Sequence, residues 1–577
     1  MKQPAASRPF GLLCAAALAF CAAAHAQTLP TGVTVVPFYD TSKAGLSFAK
    51  DKQSVVGMFE VPGKPQHFLV VGYWGYVWSL YPDTNKVYPA GAIKDYTKKT
   101  LANFNNYVMK GWEQGALGGA FDPHFSENRY FYIIYNKYAK ITSYHTGTSP
   151  NGNDGPGAEG LVVVERWKLS ADYAALTKDT TIFAANHFTG YGSSNMVFDK
   201  DGMLFITADS YSQNGWDSTN FMRKVLRIDV SKKDPGKLYS IPTDNPFFKA
   251  TNPAVKKEIY AYGFRNTYSL VADYLTGKLW GAEVGEGTWE EVNIIQPGKN
   301  YGWGNGGDGA PEGFNSIGIE GPCNPAGGAY TSSNASLDST NSAGLMNNYT
   351  RTWQGHTYTC AEFTNGVWNF NHNGNDAYGN KTALPGTQIS CIILSQAFRG
   401  DPTSPFYGYH FVTDVASNYF LAVKEGVALP QNVGGVPKSM VFDGDKMHNG
   451  ITSFGEDSYG NMYVTLLSSS GQGAFAWHDM YRISHPQMKP LTVPRNQVHP
   501  VGVRVPGRSD YGSLTRFVPD VRGANWIRLP QGKTRAELYG LNGKLLWSGS
   551  GADGASLKLP ADLQPGAKAI LMARFLP

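Results

Sequence analysis

The chain has 577 residues, of which 16% are charged and 13% aromatic, with 66 glycines and 34 prolines. So few charges beside so many rings exclude a coiled coil, a long charged helix and a disordered chain. The formal net charge of +5, without a dense basic run, gives nucleic acid no footing, and the wealth of turn-formers favours an all-β chain.

The first 26 residues read as a secretory leader. Lys2 and Arg8 precede an apolar run from Phe10 to Ala24, and Ala24-His25-Ala26 fits a small-x-small cleavage site. The run is shorter than the ~20 residues a membrane span needs. A periplasmic or secreted mature chain is therefore expected, and no later stretch reads as a transmembrane segment. Cys14 and Cys21 leave with the leader. Cys323 and Cys360 flank one polar Gly/Asn/Ser-rich stretch and are expected to pair, as an exported protein permits. Cys391, among Ile389, Ile392 and Ile393, is expected to be a buried thiol.

Along the chain one unit recurs: a turn with Gly or Asn, then a short apolar or alternating run. It is spelled Asn128-Arg129-Tyr130-Phe131-Tyr132, Asp201-Gly202-Met203-Leu204-Phe205, Thr276-Gly277-Lys278-Leu279-Trp280 and Tyr459-Gly460-Asn461-Met462-Tyr463. Each predicts a tight turn feeding a strand, and recurrence at wide intervals predicts propeller blades over residues 27–484. Residues 304–385 predict a long inserted loop. Prolines 486, 490, 494, 500 and 506 predict a semi-rigid linker over 485–512. Beyond it, residues 513–577 carry a hairpin around Asn542-Gly543 and predict a small C-terminal β-sandwich module, with sorting and carbohydrate binding both open as its role.

Four ordered segments resemble the soluble quinoprotein glucose/sorbosone dehydrogenase family. Glu113-Gln114-Gly115-Ala116-Leu117-Gly118-Gly119-Ala120-Phe121-Asp122-Pro123-His124-Phe125 is similar to that family's E-x-G-L-L-G-x-A-F-H-P-x-F. Lys224-Val225-Leu226-Arg227-Ile228-Asp229 follows, and then Glu258-Ile259-Tyr260-Ala261-Tyr262-Gly263-Phe264-Arg265-Asn266, running on to Asn300-Tyr301-Gly302-Trp303. Ile451-Thr452-Ser453-Phe454-Gly455-Glu456-Asp457 completes the set. The resemblance spans about residues 50–484 and leaves out the C-terminal module. It implies a six-bladed β-propeller, pyrroloquinoline quinone (PQQ) and calcium as cofactors, and hydride transfer from an aldose or related sugar to the quinone, which then passes electrons to an acceptor the sequence does not name.

That chemistry needs a base for the hydroxyl proton and cations to hold negative charge. Arginine suits PQQ, since a guanidinium forks onto carboxylates and stacks on flat rings. The resemblance assigns Arg265 and Asn266 to the cofactor, Arg265 also to catalysis, and Arg399, in Ala397-Phe398-Arg399-Gly400, to a second cofactor cation. It puts Glu113 beside the substrate, and the backbone carbonyls of Gly285 and Glu286 on calcium. Asp209, in Ile206-Thr207-Ala208-Asp209, resembles the family's T-G-D, and by its residue type reads as a turn-capping residue. His187, in His187-Phe188-Thr189-Gly190, fits the base, because an imidazole near neutral pKa accepts a proton readily. Residues 191–194 lie between it and the next strand, however, and a rigid count back from Asp201-Gly202 lands on Tyr191. A second reading therefore stays open: a non-catalytic propeller that binds glycan or protein.

Overall fold

The computed structural model describes residues 28–40, 42–43, 45–48, 55–86, 92–109, 114–138, 159–188, 194–209, 215–285, 289–304, 323–324, 346–347, 350–353, 355–371, 391–415, 419–427, 430–437, 451–467, 478–495, 526–528, 535–539, 545–551, 556–558 and 572–576. They fall into two compact units, 1–500 and 501–577.

In the first unit the recurrent runs become six four-stranded antiparallel sheets. From the inner strand outward, blade 1 is Val55–Glu60, Phe68–Gly72, Tyr76–Pro82 and Tyr96–Asn103, and blade 2 is Ala116–Phe121, Tyr130–Tyr138, Glu159–Leu169 and Leu176–Phe188. Blade 3 is Ser194–Phe198, Leu204–Ala208, Lys224–Ile228 and Ile259–Tyr262, and blade 4 is Thr267–Ala272, Leu279–Glu283, Trp289–Ile295 and Trp368–Asn371. Blade 5 is Ile392–Leu394, His410–Asp414, Tyr419–Val423 and Gln431–Gly435. Blade 6 is Ile451–Glu456, Met462–Leu467 and His478–Ser484, and its outer strand is the N-terminal Thr34–Val36, with Val35 opposite Ile483. The inner strands of successive blades touch, and that of blade 6 meets that of blade 1, so the ring closes. The six-bladed propeller expected from the sequence is present.

Local chemistry sets the turns. An aspartate follows the inner strand in four blades, and its Oδ1 accepts the backbone N–H two residues on. The pairs are Asp122 with His124 (2.8 Å), Asp199 with Asp201 (2.9 Å), Asp273 with Leu275 (3.0 Å) and Asp457 with Tyr459 (3.0 Å). Gly202, Gly277 and Gly460 then take φ of +79°, +71° and +78°, a region most side chains avoid. Second strands such as Phe68–Gly72 and Leu204–Ala208 are buried on both faces, which explains their continuous apolar spelling. The cores lie between blades: Tyr132, Val164, Met196 and Leu226 join blades 2 and 3, and Trp280, Trp368, Ile392 and Val412 join blades 4 and 5.

The inner strands start at one end of the ring, called here the upper end. Asn195 Nδ2 donates to the Tyr268 carbonyl (3.0 Å), Thr207 Oγ1 lies 3.3 Å from the Thr267 carbonyl, and Gly118 packs on Asn195. The Asp-capped turns mark the lower end.

Three sequence expectations change. Residues 304–385 are not all loop: Trp368–Asn371 is the outer strand of blade 4, pairing with Trp289–Val292, and Thr350–Trp353 pairs with His356–Thr359. Trp368 and Phe370 face the core and Asn369 and Asn371 alternate with them, so the polarity of this strand hid it. The start of the proline-rich stretch is not a linker: Lys489 O accepts from Asp401 N, Leu491 N donates to Tyr459 O, and Met488 is buried in the core of blades 5 and 6. Cys391 is half-buried, and its N–H donates to Asp414 (2.6 Å). The Cys323–Asn324 strand lies against the 3-10 turn Cys360–Glu362, which brings the two backbones together. In the second unit, Arg535–Tyr539 lies between Leu545–Ser550 and Met572–Leu576, and Trp526–Arg528 pairs with Ser556–Lys558. The predicted hairpin strands are thus paired.

Candidate active site

Arg265 and Asn266 leave the outer strand of blade 3 at the upper end and enter the inner strand of blade 4. One side chain pins this turn. Glu283, the cross-strand partner of Thr267, accepts the backbone N–H groups of Arg265 and Asn266 (2.6 Å for Asn266) and the Thr267 hydroxyl (2.7 Å). Burial, with a smaller push from the charge of Asp209, raises its carboxyl to about 7 against the pull of these three bonds. Arg265 Nη1 donates to the carbonyls of Val284 (3.1 Å) and Gly285 (2.8 Å). Asn266 is buried beneath it.

A tryptophan from further along the chain completes the cluster. After the third strand of blade 4, residues 299–303 climb the edge of blade 3. Asn300 bridges Tyr262 in parallel, and the N–H of Trp303 donates to the Gly263 carbonyl (2.8 Å). Gly263 sits at φ +82°, and a Cβ there would fall 2.0 Å from Asn300 Oδ1, so only glycine lets the segments approach. The Trp303 ring is 5% exposed, with the Arg265 and Arg223 guanidinium carbons 5.9 and 5.7 Å from ring centroid. Its Nε1–H is buried with no hydrogen-bond partner. Arg223 is buried, with Nε 3.7 Å from Asp209 Oδ1. Lys224 is wholly buried and donates to the Met222 carbonyl (2.7 Å) and Asn220 (3.1 Å); burial lowers its ammonium to about 7, and Arg223 adds to the effect.

The upper end therefore brings together Arg265, Asn266 and Gly285, and adds Arg223, Trp303, Asp209 and Glu283. Asp209, read from the sequence as a turn cap, is a buried partner of Arg223. Trp303 carries a signal of its own, the Asn300-Tyr301-Gly302-Trp303 run, while Arg223 carries none. His187 lies at the upper end of the outer strand of blade 2, its backbone opposite Gly160. Glu113 and Glu286 fall outside the described residues.

Arg399 is not in this group. It lies between the first two strands of blade 5 at the lower end, with Nη2 2.5 Å from Asp273 Oδ2. Asp273 follows the six-residue strand Thr267–Ala272, whose other end carries Asn266, so about 20 Å of strand separates the two surroundings. Burial opposes ionisation of Asp273, but Arg399 together with the Thr276 and Leu275 bonds holds its carboxyl below the usual range. His410 next to it is fully buried, and burial lowers its imidazole to about 4. Among the described residues no cluster of three His, Cys, Asp or Glu side chains could hold a metal ion.

Guanidinium and indole groups packed where the inner strands of the propeller begin have the chemistry to grip carboxylates and to stack on a flat ring. Residues 90–385 match the glucose/sorbosone dehydrogenase family, and the chain belongs to it. The chain is 31% identical over 205 residues to an aldose sugar dehydrogenase of Escherichia coli K12, a match covering 33% of this chain and 47% of the relative. It is 26% identical over 302 residues to quinoprotein glucose dehydrogenase B of Acinetobacter calcoaceticus, covering 47% and 57%. The chain thus spans about half the length of the curated relatives it matches. The solved apo structure of the soluble aldose sugar dehydrogenase of Escherichia coli is 19% identical with a TM-score of 0.48, covering 78% of this chain and 99% of that one. Among the described residues no helix is long and apolar enough to cross a membrane.

Proposed function

We propose that this chain is an exported PQQ-dependent dehydrogenase that oxidises an aldose or related sugar at the upper end of the propeller. The observation that carries the reading is the Trp303 indole with two guanidiniums beside it and its own N–H unmatched. A buried donor without an acceptor is costly, and a carboxylate or ring carbonyl of PQQ would satisfy it. The residues fit PQQ on this count: Arg265 would fork onto a carboxylate, Asn266 would hydrogen-bond the ring system, and Trp303 would exclude water from one side. Bound PQQ would supply the hydride acceptor. His187 would take the sugar hydroxyl proton on an imidazole nitrogen, and Arg265 would hold the charge that develops. Glu113 would contact the sugar.

Calcium fits less well. The Gly285 carbonyl already accepts from Arg265 Nη1, so a dication there would face a guanidinium at close range. A calcium site built on Gly285 and Glu286 requires Arg265 to turn away first.

One observation favours the second reading, a non-catalytic propeller binding glycan or protein. The outer strand of blade 2 runs through Phe188, so the backbone of His187 is held in sheet pairing and not in a loop. One experiment separates the two: reconstitute the full chain with PQQ and calcium, and assay aldoses with an artificial electron acceptor. The enzyme reading expects turnover, and a loss of about 100-fold or more in kcat for His187→Ala, as removal of a general base produces. Absence of dye reduction with intact PQQ binding would favour the second reading. Equal turnover in the variant would remove His187 from the role.

A further inference from the structure

Arg223 holds a backbone conformation that its residue type does not favour. Its φ is +60°, in the left-handed region where a Cβ crowds the carbonyl and glycine is the usual occupant. The conformation is locked by both neighbours: Arg223 N donates to the Ala208 carbonyl (2.7 Å), and its carbonyl accepts from Phe264 N (3.3 Å), next to Arg265. The side chain is 3% exposed. A guanidinium never loses its charge in a protein, so desolvating it costs stability in addition to the backbone strain. Strain kept in this way, beside a site, points to a task for the side chain.

The surroundings indicate the task. Arg223 and Arg265 lie by one indole, 5.7 and 5.9 Å from its centroid. Asp209 Oδ1 lies 3.7 Å from Arg223 Nε, a buried carboxylate on one side of the guanidinium. Lys224 follows directly and is also buried. The buried N–H of the same indole lacks an acceptor. A buried and a half-buried guanidinium around one indole with an unmatched donor are complementary to one anionic group.

We infer that Arg223 is a second cationic anchor for a carboxylate of the bound cofactor, acting with Arg265 across Trp303. The inference rests on the proposed PQQ reading and adds to it a residue that this chain supplies from the turn before the third strand of blade 3. In the ligand-bound protein Arg223 would face a cofactor carboxylate with Asp209 still beside it, and Asp209 would balance the remaining positive charge.

The test is an equilibrium titration of PQQ into the full chain, followed by quenching of tryptophan fluorescence, for the wild type, Arg223→Gly and Arg223→Asn. Glycine and asparagine both suit the left-handed region, so both variants are expected to fold, with a modestly lower Tm because relief of the backbone strain offsets only part of the cost of removing the charge beside buried Asp209. Their PQQ affinity is expected to fall about tenfold or more, as loss of a charge-assisted contact does, and to depend less on salt. Wild-type affinity in both folded variants would overturn the inference and leave the cofactor reading standing. Absence of PQQ binding in the wild type would overturn both.

Discussion

Arg265 and Arg399 both stand near glycines in short aromatic motifs, yet the fold gives them unrelated work. Arg265 is half-buried and lies over Gly285 and Trp303 at the upper end. Arg399 is buried at the lower end as the counter-ion of Asp273. Spelling alone does not separate a cofactor arginine from a structural one, because the partner that decides the matter, Asp273, lies 126 residues away. Arg399→Met should thus leave PQQ affinity within error of wild type while destabilising the fold by about 3–5 kcal/mol, the cost of stranding a buried carboxylate. Urea unfolding and the fluorescence titration measure the two quantities. A large loss of affinity in a folded variant would return Arg399 to the cofactor.

At the scale of elements, the segment after blade 6 behaves as a strap. Residues 485–495 run past the lower turns of blades 5 and 6, and Arg495 donates to Glu456 (3.1 Å), to the Asp457 carbonyl (3.1 Å) and to the Tyr274 hydroxyl of blade 4. Glu60, at the lower end of the inner strand of blade 1, accepts the N–H groups of Gln66 (2.5 Å) and Ser458 (2.7 Å). Burial, then the charge of Asp457, raises its carboxyl from 4.5 to about 8. Between these values the folded state keeps a proton that the unfolded state has released. The stability due to Glu60 is therefore full below the unfolded pKa and is lost as pH rises through about 8. Glu60→Gln carries no such dependence. Its Tm should gain on the wild type steadily as pH rises from about 5 to about 8. A difference that is constant with pH would show that Glu60 is ionised in the fold.

The whole propeller depends on closure. Thr34–Val36 supplies the outer strand of blade 6, and Leu29, Val33 and Val35 are buried with Phe411, Val433 and Ile483. The Val433 carbonyl accepts from both Gly32 N and Val33 N (2.8 Å each), tying the same segment to blade 5. Burial of three such side chains contributes roughly 1.5–3 kcal/mol each, which is comparable with the ~5–15 kcal/mol that holds a typical domain. Deleting residues 28–36 should abolish the cooperative unfolding transition seen by circular dichroism. A deletion variant with a sharp transition within a few degrees of wild type would mean that the ring closes without this strand.

Much of this was legible from the chain, and for local reasons. Tight turns such as Asp201-Gly202 and Asp457 to Gly460 are made by neighbouring residues, so they announce strands wherever they stand. The ordered segments from Glu113 to Asp457 carried the family and the sixfold ring, and Arg265-Asn266 was found because a short motif contains both residues. The outer strand Trp368–Asn371 was missed because asparagines alternate in its sequence with Trp368 and Phe370 and read as loop. Arg399 was misplaced, and Arg223 and Trp303 were missed, because their roles depend on distance in space and not in sequence. Trp303 reaches Arg265 only when residues 299–303 climb the edge of blade 3. The sequence by itself determined the blades, the turns and the family, which rest on contacts among near neighbours. Only the tertiary structure decided which cations share the upper end, because Arg223, Arg265 and Trp303 meet there from separate stretches of chain while Arg399 is matched to Asp273 of the neighbouring blade.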